Sequence, residues 1–383
     1  MDWGGAKIRI LFATGQFALP QVRGGSQRTS DAIIRGLIAR GHDVRLLAAL
    51  RPDDLRGKLA RFQMKLLRRR IAVDTRLGYK AYRAWDAVAA VEDLVRIWRP
   101  DVAVALTQRT VAMGKALQNC NMPLLVALQD NEFPLLEGNP NELKPFQSVA
   151  NSIFTARKYE EQFGFPSKVI HPVIERNCYH VHKTGSAVTF VNPDPKKGYG
   201  LFIEMAAMRP EYEFILVPGW PLPEAQMRQV ADEVAQLPNV FHSRSEADMR
   251  VVYARTKVLL VPSQWEEGYG RVATEAQFSG IPVLGSDMGG LPEAIGSGGT
   301  IIPAGAPIDV WLAALDRFML NPSHLAEKSS DALMHASRQE MRSETQIDEW
   351  EQILANTVMG CGDSAAVTVP TWAAGTAVGR LTH

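Results

Sequence analysis

The chain contains only three cysteines among its 383 residues, and these three (Cys120, Cys178 and Cys361) form no CxxC pair. Their scatter argues against a disulfide framework and favours a reducing, cytoplasmic compartment. The chain also lacks an excess of charge of one sign, because 42 Lys and Arg are balanced by 41 Asp and Glu. This balance gives no global attraction to nucleic acid, so nucleic acid is not expected as a partner.

Long apolar runs and familiar metal or nucleotide motifs are absent from the sequence as well. No segment is apolar over the length needed to span a bilayer, and the first residues pass from a polar start directly into one short strand, unlike a signal peptide. There is no Asp-x-Asp motif, no HExxH motif and no P-loop. The sequence therefore gives no sign of a metal site of these kinds.

Short apolar segments of strand length alternate with stretches typical of helices. The alternation pauses at residues 174–186, which are polar and have no clear period, and then restarts at residue 187. Alternation of this kind predicts parallel sheets with crossover helices, and a chain of this length normally forms two domains. We therefore predict an α/β protein with two doubly wound, Rossmann-like domains and a ligand in the cleft between them.

The segment from Pro262 to Glu293 is the most informative part of the chain. A short apolar run at 257–261 precedes a glycine-rich turn, and residues 271–278 lack Gly and Pro and can continue as a helix. Gly268 and Gly270 allow the backbone of such a turn to approach a ligand closely, and the start of a helix attracts anions. The order of strand, glycine turn and helix thus favours a bound diphosphate.

Two carboxylates, Glu267 in the turn and Glu275 on the predicted helix, are eight positions apart. At this spacing both can face one cleft and accept hydrogen bonds from hydroxyl groups. Recognition of a polyol is the simplest chemistry that the pair supports. Together with the diphosphate, the pair indicates a bound sugar nucleotide.

These residues resemble the signature of the family 4 glycosyltransferases, retaining enzymes of the GT-B fold in which two such glutamates contact the donor. The resemblance covers Pro262-Ser263, Glu267-Gly268-Tyr269-Gly270, Glu275-Ala276, Gly280-Ile281-Pro282-Val283 and Gly289-Gly290-Leu291-Pro292-Glu293. It implies two Rossmann-like domains around a cleft, and transfer of a sugar from a nucleotide diphosphate sugar, most typically a UDP- or GDP-sugar. It also implies no tightly bound cofactor and no required metal.

The resemblance assigns a role to each residue of the turn. Glu267 is expected to hold the hydroxyls of the donor sugar, and Glu275 to hold the nucleotide ribose. The backbone of the turn, at Gly268, Tyr269 and Gly270, is expected to lie beside the diphosphate.

A Gly24-Gly25 pair follows the first predicted strand. On its own such a pair is only a turn signal, but the family has a Gly-Gly loop here, with its second glycine near the donor pyrophosphate. Ser26 is the expected cap of the helix that follows.

Two positions depart from the family pattern. Lys197 matches a phosphate-binding lysine, but Asn192 stands where many members have an arginine, so Lys197 carries more of the leaving-group charge or another base (Lys196 or Arg244) contributes. Asp130, after Gln129, stands where members often have a histidine. It is expected either to orient a hydroxyl of the sugar or acceptor, or to cap the next turn.

The implied mechanism is transfer with retention at the anomeric carbon and without a demonstrated protein nucleophile. Two alternatives remain: a degenerate sugar-nucleotide binder without turnover, and a sugar-nucleotide epimerase with the same architecture.

The sequence leaves three classes of acceptor open: a glycan, a lipid-linked molecule or a small molecule. At residues 55–70, Leu55, Leu59, Phe62 and Leu66 recur at helical spacing among many Lys and Arg. Such a basic amphipathic helix is suited to peripheral contact with the inner face of an anionic membrane. The alternative is an ordinary domain helix whose apolar stripe meets the sheet.

We predict an N-terminal acceptor-side domain at residues 1–180 and a C-terminal nucleotide-sugar domain at 181–343. A final helix at 344–359 crosses back to the first domain in the resembled family. Residues 360–383 are rich in small residues and predict a flexible tail.

Overall fold

The computed structural model describes residues 7–52, 55–219, 222–243 and 248–360. Apart from its first residue, the predicted tail lies outside these ranges, and so does Cys361. The bounds of the strands and helices follow.

The first half of the chain contains these strands and helices: β1 (Arg9–Phe17), α1 (Gly25–Ala39), β2 (Asp43–Ala49), α2 (Leu55–Leu67), β3 (Ile71–Asp74), β4 (Ala81–Ala84), α3 (Val91–Ile97), β5 (Val102–Leu106), α4 (Thr110–Asn119), β6 (Leu124–Leu128), β7 (Gln147–Ala150), α5 (Ile153–Phe163) and β8 (Lys168–Val169).

The second half continues with these: β9 (Ala187–Val191), α6 (Tyr199–Met208), β10 (Phe214–Val217), α7 (Glu224–Ala235), β11 (Val240–His242), α8 (Met249–Arg255), β12 (Thr256–Val261), α9 (Arg271–Gln277), β13 (Val283–Ser286), α10 (Leu291–Ile295), β14 (Gly299–Ile302), α11 (Ile308–Leu320), α12 (Pro322–Ala336) and α13 (Ser343–Met359).

Two separate sheets organise the described residues. The first has eight strands in the order β3-β4-β2-β1-β5-β6-β7-β8, with β3 antiparallel to β4, and the second has six parallel strands in the order β11-β10-β9-β12-β13-β14. In each sheet the strand order reverses at the first strand of its half, β1 or β9. A ligand crevice is expected outside the carboxyl ends of the strands at such a point. The predicted pair of doubly wound, Rossmann-like units is confirmed.

Strand β1 shows why the first sheet is apolar on both faces. Ile10 and Phe12 belong to the core under α1 and α13, while Leu11 and Ala13 belong to the core on the opposite face. Side chains alternate between the two faces of a strand, so a sheet covered by helices on both sides needs a continuous apolar run. The ring of Trp350 on α13 lies 6.2 Å from that of Phe12. Helix α13, which follows the second sheet in sequence, therefore packs on the first sheet.

Helix α2 turns its apolar stripe away from the sheet. Met64 is 6 % exposed and contacts Leu50 and Ala72. The residues of the stripe are instead largely exposed: Leu55 77 %, Leu59 60 %, Phe62 66 % and Leu66 68 %. The expectation that this stripe meets the sheet is therefore wrong, because a different face of the helix is buried.

Within the described ranges, no helix combines the length and the apolar character needed to cross a bilayer.

Candidate active site

A cavity of about 790 Å³ lies between the carboxyl ends of the two sheets. Its wall includes Gly15 in β1 and Asp130 after β6 on one side, and Asn192 after β9 and Val261 at the end of β12 on the other. The predicted site residues that line it are Gly24, Gly25, Asp130, Lys197, Glu267, Gly268, Tyr269, Gly270 and Glu275. Arg244 lies outside the described residues. The structure therefore brings these nine residues together. Lys196 is not among the residues that line the cavity, and its Nζ pairs with Glu132 at 3.2 Å.

The start of α1 forms one side of the cavity. The helix begins at Gly25 with Gly24 as its N-cap, and no side chain caps it. The expectation that Ser26 caps this helix is wrong, because Ser26 lies in the first turn and its Oγ donates to Gln27 Oε1 at 3.1 Å. A Cβ atom at Gly24 would lie 2.4 Å from Gln27 Oε1. Only glycine fits here without moving that side chain. Gly24 and Gly25 both line the cavity, so the backbone at the start of the helix borders it.

The two consecutive glutamates of the glycine turn point in different directions. Glu267 Oε1 accepts hydrogen bonds from Lys197 Nζ at 2.6 Å and from Ser263 Oγ at 2.9 Å. Glu266 instead forms an ion pair with Lys158 on α5. The side chains of Lys197 and Glu267 are 16 % and 13 % exposed, so water screens their attraction only weakly. Glu267 is thus the glutamate of the turn that faces the cavity.

Glu275 is buried on α9 and has partners on both carboxylate oxygens. Oε1 lies 3.3 Å from an Nη atom of Arg271, and Oε2 accepts from the Tyr253 hydroxyl at 3.3 Å. Burial, and then the neighbouring Glu275 charge, raise the pKa of Tyr253 well above its ordinary value, so the phenol stays a donor. Each glutamate of the signature therefore has its own cation: Lys197 for Glu267 and Arg271 for Glu275.

The turn itself is fixed by contacts from both domains. The carbonyl oxygen of Gly268 accepts from Ser152 Oγ at 2.5 Å and from Thr155 Oγ1 at 3.1 Å, at the start of α5. Gly270 has φ = +98° and is the N-cap of α9, and a Cβ there would lie 2.5 Å from a methyl carbon of Leu291. The left-handed backbone and the close packing both require glycine at this position.

The phenol of Tyr269 is buried and hydrogen-bonded. The side chain is 2 % exposed, and its hydroxyl lies 3.1 Å from Thr274 Oγ1. Burial raises the pKa of Tyr269 to about 12. The phenol therefore stays neutral in a hydrogen-bonded core position, which agrees with a role for the main chain alone.

Asn192 has φ = +74° and is 5 % exposed. Asparagine tolerates the left-handed backbone better than most residues do. A Cβ at Gly219 would lie 2.4 Å from Asn192 Cγ, so this side chain packs closely against the neighbouring loop. Within the described residues, its Oδ1 is buried and has no hydrogen-bond partner. The position supplies no charge to the cavity.

Asp130 borders the cavity without capping the helix that follows. The short 3₁₀ helix at Phe133–Leu136 has Glu132 at its N-cap and no side-chain cap. Burial, and then the Glu132 charge, raise the pKa of the Asp130 carboxyl above its ordinary 3.8, while Lys197 opposes the shift. Of the two sequence-based expectations, capping is wrong, and the role in orienting a hydroxyl stays a prediction.

Two residues with clear structural roles were not predicted. Glu293 spans the domains, because its carboxylate accepts from the Ile153 backbone N–H at 2.8 and 3.1 Å and lies 2.6 Å from His171 Nε2. Arg271 also crosses the cleft and donates to Thr29 Oγ1 at 2.6 Å. Both belong to the segment that carries the resemblance, but Ile153, His171 and Thr29 lie more than a hundred residues away from them in sequence.

In the described part of the chain, no group of three or more His, Cys, Asp or Glu is arranged to hold a metal ion. Independence from metal ions stays a prediction.

Two family models match the sequence. "Glycosyl transferase 4-like domain" matches residues 24–160, and "Glycosyl transferases group 1" matches residues 187–339. The first match covers most of the first sheet and the second covers all of the second sheet.

Curated relatives include D-inositol 3-phosphate glycosyltransferases. That of Gordonia bronchialis is 36 % identical over 110 residues, which are 28 % of this chain and 23 % of the relative. That of Rhodococcus erythropolis is 38 % identical over 86 residues, or 22 % of this chain and 19 % of the relative. The matched region thus spans less than a quarter of the length of these relatives.

Solved structures with the same architecture include Anabaena Alr3699/HepE in complex with UDP-glucose. Its TM-score is 0.74 at 20 % identity, covering 91 % of this chain and all of that one. A glycosyltransferase from Rickettsia africae has a TM-score of 0.72 at 13 % identity, covering 92 % of this chain and 99 % of that one. At these identities the likeness shows the fold alone. Because each Rossmann-like half also matches its own glycosyltransferase family model, the chain belongs to the family 4 glycosyltransferases of the GT-B fold.

Proposed function

We propose that this protein transfers a sugar from a nucleotide diphosphate sugar to a hydroxyl acceptor, with retention of the anomeric configuration. The observation that carries the proposal is the cavity between the sheets. It places the Glu267–Lys197 and Glu275–Arg271 pairs in one space with the start of α1. Carboxylates for hydroxyls and cations for phosphates are the groups that a sugar nucleotide requires.

The two ion pairs suggest how the donor is oriented. The sugar would lie at Glu267 and the ribose at Glu275, so the diphosphate between them would reach Lys197. A UDP- or GDP-sugar fits this arrangement. The fold shared with HepE, which was solved with UDP-glucose, supports testing UDP-sugars first.

Transfer with retention requires the leaving group and the acceptor to share one face of the sugar. As the bond between the anomeric carbon and the phosphate oxygen breaks, its electron pair stays on the diphosphate. The acceptor oxygen forms the new bond to the anomeric carbon on the same face, and the diphosphate takes the proton of that acceptor hydroxyl. Lys197 would stabilise the charge that develops there, and such a contact is worth about 10²-fold or more in rate. Asp130 would orient the hydroxyl, because it lines the cavity.

The test is a donor panel with the wild-type protein and Glu267→Ala. UDP- and GDP-sugars are incubated with hydroxyl acceptors, and nucleotide release and the anomeric coupling constant of the product are measured. The proposal expects one donor to be consumed by the wild type, a product that keeps the donor configuration, and little turnover in the variant. An inverted product would contradict retention.

One observation favours a second candidate, a sugar-nucleotide binder without turnover. Asn192 leaves the cavity without the arginine that many members of the family place there. Donor binding with no consumption in the presence of any acceptor supports this candidate. A third candidate, an epimerase, is recognised by a donor that changes its sugar stereochemistry without an acceptor.

We further infer that the protein works in the cytoplasm at the inner face of a membrane and that α2 makes the contact. Lys58, Arg61 and Lys65 are exposed beside its apolar stripe, and the basic run 68–70 follows. Each cation near an anionic surface is worth about 1 kcal/mol, and a fully buried Leu or Phe contributes about 1.5–3 kcal/mol. Together these suffice for reversible binding.

The position of α2 suits a lipid-linked acceptor. Arg51 lies just before the helix, and its backbone forms two hydrogen bonds with the side-chain amide of Gln21. Gln21 Nε2 donates to the Arg51 carbonyl at 3.0 Å, and the Arg51 N–H donates to Gln21 Oε1 at 3.2 Å. The next residue after Gln21, Val22, lines the cavity. A docked α2 would therefore place the acceptor side of the cavity near the membrane surface.

Vesicle cosedimentation tests this contact. The wild type should bind vesicles that contain anionic lipid, and Leu59→Asp with Phe62→Asp should abolish binding. Leu320→Asp is the matched control, because Leu320 is 71 % exposed but lies on the second domain. Binding that survives neutralisation of Arg68, Arg69 and Arg70 would contradict an electrostatic contact.

A further inference from the structure

The cavity has a shortage of positive charge at the position where many family members have arginine. Asn192 packs against Gly219 and is neutral. Among the described residues, the cations that line the cavity are Arg23, Arg28, Lys197 and Arg271.

Arg271 is held across the cleft by contacts to both domains. It is the first residue of α9, on the second domain, and its side chain is 11 % exposed. One Nη atom donates to Thr29 Oγ1 at 2.6 Å and to the Val173 carbonyl at 3.2 Å, and the other pairs with Glu275 at 3.3 Å. Thr29 lies on α1 of the first domain. The guanidinium is therefore fixed in position with little freedom to move.

A further N–H of this guanidinium, at Nε, lies near Gly25, where the resemblance places the donor diphosphate. Nε of Arg271 is buried, and within the described residues it has no hydrogen-bond partner. It lies 4.0 Å, and Cδ lies 3.1 Å, from where a Cβ of Gly25 would be. A buried donor of a charged group is costly when it stays unpaired, and arginine cannot lose its proton to avoid that cost. Beside the start of the 15-residue helix α1, an anionic acceptor satisfies it.

We propose that Arg271 supplies the second diphosphate-binding charge, in place of the one that Asn192 does not provide. The inference rests on the proposed function, because it assumes a nucleotide diphosphate donor. When the glycosidic bond to the phosphate oxygen breaks, Arg271 and Lys197 share the negative charge left on the diphosphate. Arg271 also holds its position relative to the first domain, because Thr29 and Val173 belong to that domain.

The test compares a nucleoside with its diphosphate. Affinities for uridine and UDP, and for guanosine and GDP, are measured by calorimetry for the wild type, Arg271→Gln and Arg271→Lys. Arg228→Gln is the matched control, because Arg228 on α7 is 73 % exposed and pairs with Glu224 on its own helix. Melting temperatures establish that every variant is folded.

Arg271→Gln should lower affinity for the diphosphate by about tenfold or more and change nucleoside affinity less than about threefold, since a contact to a charged group is lost. Arg271→Lys should lie between the wild type and Arg271→Gln. An equal loss for nucleoside and diphosphate overturns the proposal, because it indicates that Arg271 only positions Glu275 or braces the domains. Unchanged diphosphate affinity overturns it as well. A diphosphate-selective loss in a protein that transfers no sugar supports the site and contradicts the proposed function.

Discussion

Replacing Glu267 with glutamine separates the effect of its negative charge from the effect of its side-chain shape. The Glu267→Gln side chain would keep an acceptor for the Ser263 hydroxyl and would remove the negative charge that lies 2.6 Å from Lys197 Nζ. Hydrogen bonds to charged groups contribute about 1.5–3 kcal/mol, so the free energy of unfolding should fall by about 2 kcal/mol. For domains of this size the melting temperature should fall by roughly 4–8 °C. The protein should remain folded.

The effect of Glu267→Gln on activity should be larger than its effect on stability. If Glu267 holds sugar hydroxyls in the transition state, kcat should fall by about 10²-fold or more, while affinity for the nucleotide diphosphate without sugar should change only a few-fold. The assay is release of nucleotide diphosphate at saturating donor, with calorimetry for nucleotide affinity.

Glu266→Gln is the matched control for this experiment. Its carboxylate pairs with Lys158 and is 46 % exposed, so its loss should leave kcat nearly unchanged. Near-normal turnover in Glu267→Gln would remove Glu267 from the site. An equal loss in both variants would show that the conformation of the turn, and not the carboxylate, limits the rate.

Three further exchanges test individual elements of the structure. Burial raises the pKa of the Asp130 carboxyl above 3.8, so the wild type should lose stability as pH rises from about 4 through this folded-state pKa. Asp130→Asn removes the carboxyl, so the variant should not show this loss. The variant should then melt higher at pH 7 but transfer sugar more slowly, and an equal difference in melting temperature at pH 4 and pH 7 would refute the burial argument. Glu293→Gln weakens the acceptor for the Ile153 N–H and should cost about 1–3 kcal/mol in chemical denaturation; an unchanged midpoint would show that this contact between domains is not formed in solution. Gly270→Ala places a methyl group about 2.5 Å from Leu291 and forces a left-handed alanine, so it should cost about 2–4 kcal/mol, and a variant as stable as the wild type would contradict the geometry of the turn.

The parts of the fold and site that follow from local sequence were predictable. The glycine turn lies between strand β12 and helix α9, in the order that the sequence predicts. Glu267 and Glu275 could be placed on one cleft because both are fixed by the same turn and helix. The alternation of short strands and helices likewise predicts the parallel sheets, because central strands such as β5 and β6 are buried on both faces and read as continuous apolar runs.

The predictions for Ser26 and for the apolar stripe of α2 were wrong for physical reasons that local sequence patterns do not contain. Ser26 is a good helix cap by type, but the helix starts one residue before it, after a glycine that places the backbone beside the cavity. The stripe on α2 is amphipathic by period, but periodicity does not say which face meets the sheet. Burial of Met64 with Leu50 and Ala72 selects the other face.

The contacts across the cleft were missed for a similar reason. Arg271 and Glu293 look like ordinary charged residues of short helices, and their roles depend on backbone and hydroxyl groups of the first domain. Only the packing of the two domains brings those partners within reach.

Thermal unfolding of the purified protein against UDP, GDP, ADP and dTDP shows whether the cavity binds a nucleotide diphosphate, and it needs no knowledge of the acceptor. A nucleotide at about 100 times its dissociation constant should add roughly 2.7 kcal/mol and raise the melting temperature by several degrees. One nucleotide should do so, and Glu275→Ala should remove the shift. No shift with any nucleotide or matching sugar nucleotide, or a shift that persists in Glu275→Ala, would contradict the assignment of the cavity as the donor site.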